Sequence, residues 1–189
     1  MRFFDIVFSL LALILFLPFF LLIPILIKVN LGSPILFTQL RPGLNERPFM
    51  IYKFRTMLNK EYEDKEDNDR LTKFGEFLRS TSLDEIPEFW NVLKGDMSIV
   101  GARPLLMEYL NKYNATQRLR HQLKPGITGW AQVNGRNDTT WDERFKMDVW
   151  YVANRSIFLD FKIIILTIVK VFRREGISQR GRKTMKKFE

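Results

Sequence analysis

The longest feature of the hydrophobic pattern is a run over residues 6–27 that carries no charge and is dominated by Leu, Ile and Phe. That length meets the thickness of a hydrocarbon core and predicts a membrane-inserted helix. The run exceeds the apolar stretch of a signal peptide, and no small-residue cleavage site follows it before Lys28, so it reads as a retained anchor. Pro18 and Pro24 each remove a backbone donor and crowd the preceding turn, which predicts a kink. Composition leaves two topologies open, a kinked span or a broken helix that dips in and returns to the same face.

After the anchor, residues 34–38 and 49–54 read as short strands flanking the turn-rich Arg41-Pro42-Gly43-Leu44-Asn45, and 61–69 is a solvated charge run. Helical spacing of apolar residues recurs over 74–78, 86–93 and 105–113, and a helix over 141–153 would set Asp148 and Tyr151 one turn apart. Residues 97–100 read as extended, and Pro125-Gly126-Ile127-Thr128-Gly129 is turn chemistry leading into a strand at 131–133. The stretch 157–172 is apolar but interrupted by Asp160, Lys162 and Lys170, so it reads as an amphipathic helix. Its basic end, Lys170, Arg173 and Arg174, suits anionic head groups; the alternative is that its apolar face packs on the domain core. The expected fold class is α/β, mostly helical with short strands. It divides into a membrane-inserted helix (1–31), a catalytic domain (32–176) and a basic tail (177–189).

Composition narrows the chemistry. Thirty Lys and Arg against 21 Asp and Glu give a formal charge of +9, which favours phosphates, anionic lipid or nucleic acid. With no Cys and one His, thiolate nucleophiles, disulfides and His-rich metal sites are excluded. A metal would need oxygen ligands, as magnesium or manganese does.

The hexapeptide Ser82-Leu83-Asp84-Glu85-Ile86-Pro87 admits two readings. Ser82 and Glu85 fit a capping box ahead of an apolar helix. Equally, Asp84 and Glu85 form a carboxylate pair with basic groups in neighbouring motifs: Lys53 and Arg55, Arg79, and Arg103. An ionised Asp can attack phosphorus once cations neutralise the phosphate. Pro104 reads as the first residue of helix 105–113, which would set Arg103 at its positive end. The loop 124–136 offers Trp130, Gln132, Asn134 and Arg136 to a nucleobase or sugar, or else buries an ordinary tryptophan. Asp148 and Tyr151 fall one turn apart and would face one site. Asp67-Asn68-Asp69 matches the divalent-ion pair of a glycosyltransferase releasing UDP, or is part of the charge run around it.

Lys53-Phe54-Arg55-Thr56-Met57, Ser82 to Pro87, Asn91-Val92-Leu93-Lys94-Gly95-Asp96-Met97-Ser98 and the stretch from Pro125 through Gly129-Trp130-Ala131-Gln132 to Arg136 together resemble the bacterial sugar transferase family. These are the monotopic phosphoglycosyl transferases; the short chain is most similar to the bacillosamine-phosphate transferases. The resemblance implies attack by an Asp, here Asp84, on the β-phosphorus of a UDP-sugar such as UDP-diacetylbacillosamine, release of UMP, and transfer of the sugar phosphate to undecaprenyl phosphate. It implies Mg2+ held by Glu85 and Asp84, with Lys53, Arg103 and Asp148 completing the polar site. It also implies a re-entrant anchor broken at Pro24, at the cytoplasmic face of the bacterial inner membrane among phospholipids, with no nucleic-acid partner.

Overall fold

The computed structural model describes residues 2–58, 70–135, 139–173 and 188. Two helices come first, α1 (Arg2–Leu15) and α2 (Leu17–Leu31), joined at Phe16 with a bend of 60°. Among the described residues no single helix is long and apolar enough to cross a membrane, but this bent pair together has the length and composition. The expected break at Pro24 is corrected: Pro24 lies inside α2, and the bend falls just before Leu17-Pro18. Pro18 sits in the first turn of α2, where its missing donor costs nothing within α2 but ends α1 one turn earlier.

The two helices are built inside out relative to soluble amphipathic helices. The buried face of α1 is Asp5, Ser9 and Ala12, while Phe3, Leu11, Ile14 and Leu15 point outward. Asp5 accepts hydrogen bonds from Ser98 Oγ at 2.8 Å and from the Ile99 amide at 3.0 Å. Arg2 donates to the carbonyls of Val92 and Leu93, at the end of a helix in the domain. Along α2, Ile23, Ile27 and Leu31 form one buried face with Phe54, Leu78 and Ile86, and the other faces are exposed. At its end, Arg55 donates to the carbonyls of Leu31 (2.6 Å), Gly32 and Ser33 (3.0 Å).

The domain begins with an antiparallel hairpin of β1 (Leu36–Pro42) and β2 (Pro48–Phe54), as the turn-rich stretch predicts. Then come α3 (Lys73–Ser80), a 3-10 turn (Leu83–Glu85) and α4 (Glu88–Lys94). Asn91 of α4, fully buried, pairs with β2 as a neighbouring strand would: it receives the Tyr52 amide at 3.1 Å and donates to the Met50 carbonyl at 2.7 Å. The remaining elements are β3 (Ser98–Val100), β4 (Gly126–Thr128), α5 (Ala115–Arg118), α6 (Trp130–Asn134), α7 (Trp141–Asn154) and α8 (Ile157–Arg173). β3 and β4 pair in parallel. At Gly126 a Cβ would lie 2.1 Å from the Gly101 nitrogen, so this crossing needs glycine. The main core gathers Phe49 and Ile51 with Val92, Met97, Val100, Tyr151 and Ile163.

Two elements differ from the sequence-based expectation. Residues 131–133 are helical, not a strand: in the short α6, Ala131 and Val133 are buried and Gln132 is not, an alternation that mimics a strand. Helix 105–113 is replaced by extended chain and a 3-10 turn (Met107–Asn111), which still lays Leu105, Tyr109 and Tyr113 against Phe145. On α8 the outward face is apolar, with Phe158 and Phe172 largely exposed, and Asp160 turned inward to the Tyr151 hydroxyl.

Removing the Asp5 carboxylate leaves two buried donors, Ser98 Oγ and the Ile99 amide, without their acceptor. Asp5→Ala is expected to cost about 2–4 kcal/mol, read by denaturant unfolding in detergent; a loss under about 0.5 kcal/mol would mean the latch contributes nothing.

Candidate active site

Ser82 closes the preceding helix in the left-handed region, φ 56°, and its side chain caps nothing. A non-glycine residue there is uncommon and strained. The capping box is therefore not formed, and Glu85 is released from backbone duty. Instead Glu85 Oε1 receives Lys53 Nζ and Arg103 Nη2, each at 2.7 Å. Lys53 Nζ also stands 2.8 Å from Oε1 of Glu88, which is 1% exposed. β2, the Leu83–Glu85 turn, α4 and the segment after β3 thus meet at one ionic cluster, with Asp84 buried beside it.

The three carboxyl groups are driven apart electrostatically. Burial and the adjacent Glu85 raise Asp84 to about 6, against the pull of Lys53, Arg79 and Arg103. Glu85 is half-buried, but Arg103 and Lys53 outweigh burial and hold it well below the usual carboxylate range. Glu88 has Lys53 as its cation, which burial outweighs, so it rises to about 7. For Lys53, burial and Arg103 are overcome by Glu85 and Glu88, and the ammonium titrates above its ordinary value.

Around this cluster lies a cavity of about 1400 Å³. Lys53, Arg79, Asp84, Glu85, Arg103 and Asp148 all line it. Arg79 is aimed by its Nε bond to Thr56 Oγ1, 2.9 Å, and α3 comes this close because Gly75 has no Cβ, which would sit 1.8 Å from the Thr56 carbonyl. The cavity continues to Leu11, Leu15 and Phe16 at the bend, and to Ile168 and Phe172 of α8.

Other expected site residues have different duties. The Arg55 side chain borders the cavity, but its guanidinium binds the carbonyls that end α2. Arg103 does not start a helix; its charge reaches the site through Glu85. Asp148 is paired with buried Arg120, Oδ2 to Nη2 at 2.8 Å, and Arg120 Nη2 also holds the Arg103 carbonyl at 2.8 Å. Tyr151 points away from Asp148, into the core. Trp130 stacks on Trp150 with centroids 5.0 Å apart, outside the cavity, while Gln132 lines it and donates to the Ile127 carbonyl. Arg136 and Asp67-Asn68-Asp69 lie outside the described residues. Glu88 and Arg120 escape sequence reasoning because each reads as an ordinary first-turn acid or surface base; the one signal is the charge of Glu88 set among Ile86, Pro87, Phe89 and Trp90.

Folding raises Glu88 from 4.5 to about 7, so between those values the folded state holds a proton that the unfolded state lacks. Stability contributed by this group is present below pH 4.5 and declines as pH rises towards 7. Glu88→Gln is therefore expected to gain on the parent protein between pH 5 and pH 8, by about 1–3 kcal/mol in denaturant unfolding. An identical difference at both pH values would give Glu88 an ordinary carboxyl.

Comparison with known proteins matches residues 1–174 to the bacterial sugar transferase family. The chain is 52% identical to the sugar transferase EpsL of Bacillus subtilis, whose name leaves its activity uncharacterised, over 86% of this chain and 82% of EpsL. It is 44% identical to the UDP-glucose:undecaprenyl-phosphate glucose-1-phosphate transferase of Klebsiella pneumoniae, over 89% of this chain and 39% of that protein. It is 46% identical to the galactosyl transferase CpsE of Streptococcus agalactiae, over 77% of this chain and 36% of that one. The chain thus spans about two fifths of the length of the Klebsiella and Streptococcus relatives. With nearly its whole length matched, and the acidic pair set among Lys53, Arg79 and Arg103, this chain belongs to the bacterial sugar transferase family.

Proposed function

We propose that this chain transfers a sugar 1-phosphate from a UDP-sugar to undecaprenyl phosphate and releases UMP, with Asp84 as nucleophile. One observation carries the reading: a single cavity joins the Asp84–Glu85 cluster to apolar walls from the bent N-terminal helix pair and α8. A nucleotide sugar needs the charged end, and an isoprenoid phosphate needs both. The name of the Klebsiella relative supports the same pair of substrates.

Above pH 6 the Asp84 carboxylate is ionised and attacks the β-phosphorus. As the new O–P bond forms, the bond to the bridging oxygen breaks, and UMP leaves with that oxygen. Lys53, Arg79 and Arg103 screen the phosphoryl charge, without which an anion cannot approach an anion. A phosphate oxygen of undecaprenyl phosphate then attacks the same phosphorus, the aspartyl oxygen departs, and Asp84 is restored; kinetics are ping-pong. Among the described residues no group of three or more His, Cys, Asp or Glu could hold a metal alone. Magnesium suits this donor set, since it commonly takes one or two carboxylates and completes its shell with water and substrate phosphates. Asp84 and Glu85 would hold it, and when bound it supplies charge neutralisation at the diphosphate.

The anchor is read as re-entrant, at the cytoplasmic face of the bacterial inner membrane. Both ends of the helix pair are tied to the same domain, one by Arg2 and Asp5 and the other by Arg55. A straight span would pull Asp5 away from Ser98 and Ile99. For the sugar, the names of the Klebsiella and Streptococcus relatives favour a UDP-hexose, and the resemblance to bacillosamine-phosphate transferases favours an N-acetylated amino sugar.

A UMP-release assay across UDP-glucose, UDP-galactose, UDP-N-acetylglucosamine and UDP-diacetylbacillosamine identifies the donor, and UDP as the sole nucleotide product would overturn phosphotransfer. With donor and magnesium, the protein is expected to gain one sugar-phosphate mass at Asp84. Asp84→Asn should lose the adduct and at least about a thousandfold in turnover; an adduct that persists moves the nucleophile elsewhere. Below pH 6, kcat/KM should fall about tenfold per pH unit as Asp84 takes up its proton. For topology, Phe3→Cys should react with an impermeant thiol reagent only from the cytoplasmic side, and labelling from the periplasm alone rules out re-entry.

A further inference from the structure

Arg41, on β1 at the edge of the hairpin turn, lines the catalytic cavity but belongs to none of the ion pairs described above. Its Nη2 donates to the Gln39 carboxamide at 2.6 Å and its Nη1 to the Pro104 carbonyl at 3.4 Å. Both partners are neutral, Nε is buried without a hydrogen-bond partner, and among the described residues no carboxylate lies within 4 Å. A partly buried cation met only by neutral acceptors is costly, and proteins normally supply a counter-charge.

The neighbourhood deepens the imbalance. Burial, and next Arg103, lower Arg41 to about 10, and the same two causes lower Arg144, which lines the same cavity, to about 10. Of the nearby carboxylates, Glu88, the one that acts on Arg41, is shared with Lys53, Glu85 is taken by Lys53 and Arg103, and Asp148 by Arg120. Among the described residues, Arg41 is left without a carboxylate of its own. The Gln39 bond and the contact beside Arg103 meanwhile hold the guanidinium fork in place, and such a fork suits phosphate oxygens.

We propose that Arg41 is a phosphate-binding residue of the catalytic cavity, pairing with a phosphate ester that enters beside Arg103. The proposal rests on the phosphotransfer reading for the identity of that ester, which is either the nucleotide's phosphate or the lipid acceptor's. Arg41 supplies the counter-charge for the phosphate that Lys53 and Arg103, engaged with Glu85, do not fully meet.

The test titrates UMP and farnesyl phosphate separately into the full-length protein in detergent by calorimetry, for the parent, Arg41→Gln, Arg41→Lys and the surface control Arg118→Gln. Arg41→Gln should weaken at least one ligand by about tenfold or more, Arg41→Lys by less, and Arg118→Gln by neither. Loss for UMP assigns Arg41 to the donor, and loss for farnesyl phosphate assigns it to the acceptor. Binding of both ligands to Arg41→Gln within about twofold of the parent overturns the proposal. Should the variant misfold by near-ultraviolet circular dichroism, phenylglyoxal modification of the parent protein decides: UMP or farnesyl phosphate should protect the Arg41 peptide, and no protection by either overturns the assignment. UMP release by the parent is scored separately, so Arg41-dependent binding without turnover would sink the enzymatic reading and leave the phosphate site standing.

Discussion

Lys53 is the interaction on which the rest of the site depends. One ammonium, near the end of β2 far from the hairpin turn, serves Glu85 at 2.7 Å and Glu88 at 2.8 Å, and so pins the Leu83–Glu85 turn and α4 to β2. Its withdrawal would leave two buried carboxylates with Arg103 as their nearest cation, the situation in which a buried pair becomes destabilising. Sharing one cation unequally is also what separates the three acids. Glu85, with two cations, stays ionised; Glu88, deep and with one, tends towards neutrality; Asp84 is poised between them. Distinct environments give neighbouring carboxyl groups distinct roles.

The membrane helices are joined to this cluster by polar contacts rather than by an oily seam alone. Asp5, Ser9 and Arg2 face the domain, and the apolar side of α1 faces out. The same reversal recurs in α8, whose Asp160 points inward while Phe158 and Phe172 point outward. Hydrocarbon on the outside makes the outward faces compatible with lipid, and the polar latches then fix where the domain sits.

Much of this was legible in the chain. The uncharged run, the hairpin around Arg41-Pro42-Gly43, and the helices after Thr72 and Thr140 all follow from local periodicity and turn chemistry. Asp84, Glu85, Lys53, Arg79 and Arg103 also come together as their motifs imply. Failures occurred where tertiary contacts overrode local pattern. Ser82 looks like a cap, but the turn twists it to positive φ and hands Glu85 to cations more than 15 residues away in sequence. Arg55 looks like a phosphate ligand until the carbonyls ending α2 arrive beside it, and Pro24 looks like the break although Pro18 ends the first helix. Arg120 and Arg41 have no local signature, and Glu88 only its apolar neighbours, because their significance lies in which charges they meet or fail to meet.

The polar face of α1 bears on how the molecule assembles. The groups that receive Arg2 and Asp5 lie 90 to 94 residues further along the chain. As the chain grows from its N-terminus, α1 exists long before Val92, Ser98 and Ile99, so its acid and its base wait without their partners. Closing this long loop is therefore a late event, and it completes the domain and fixes α1 to it together.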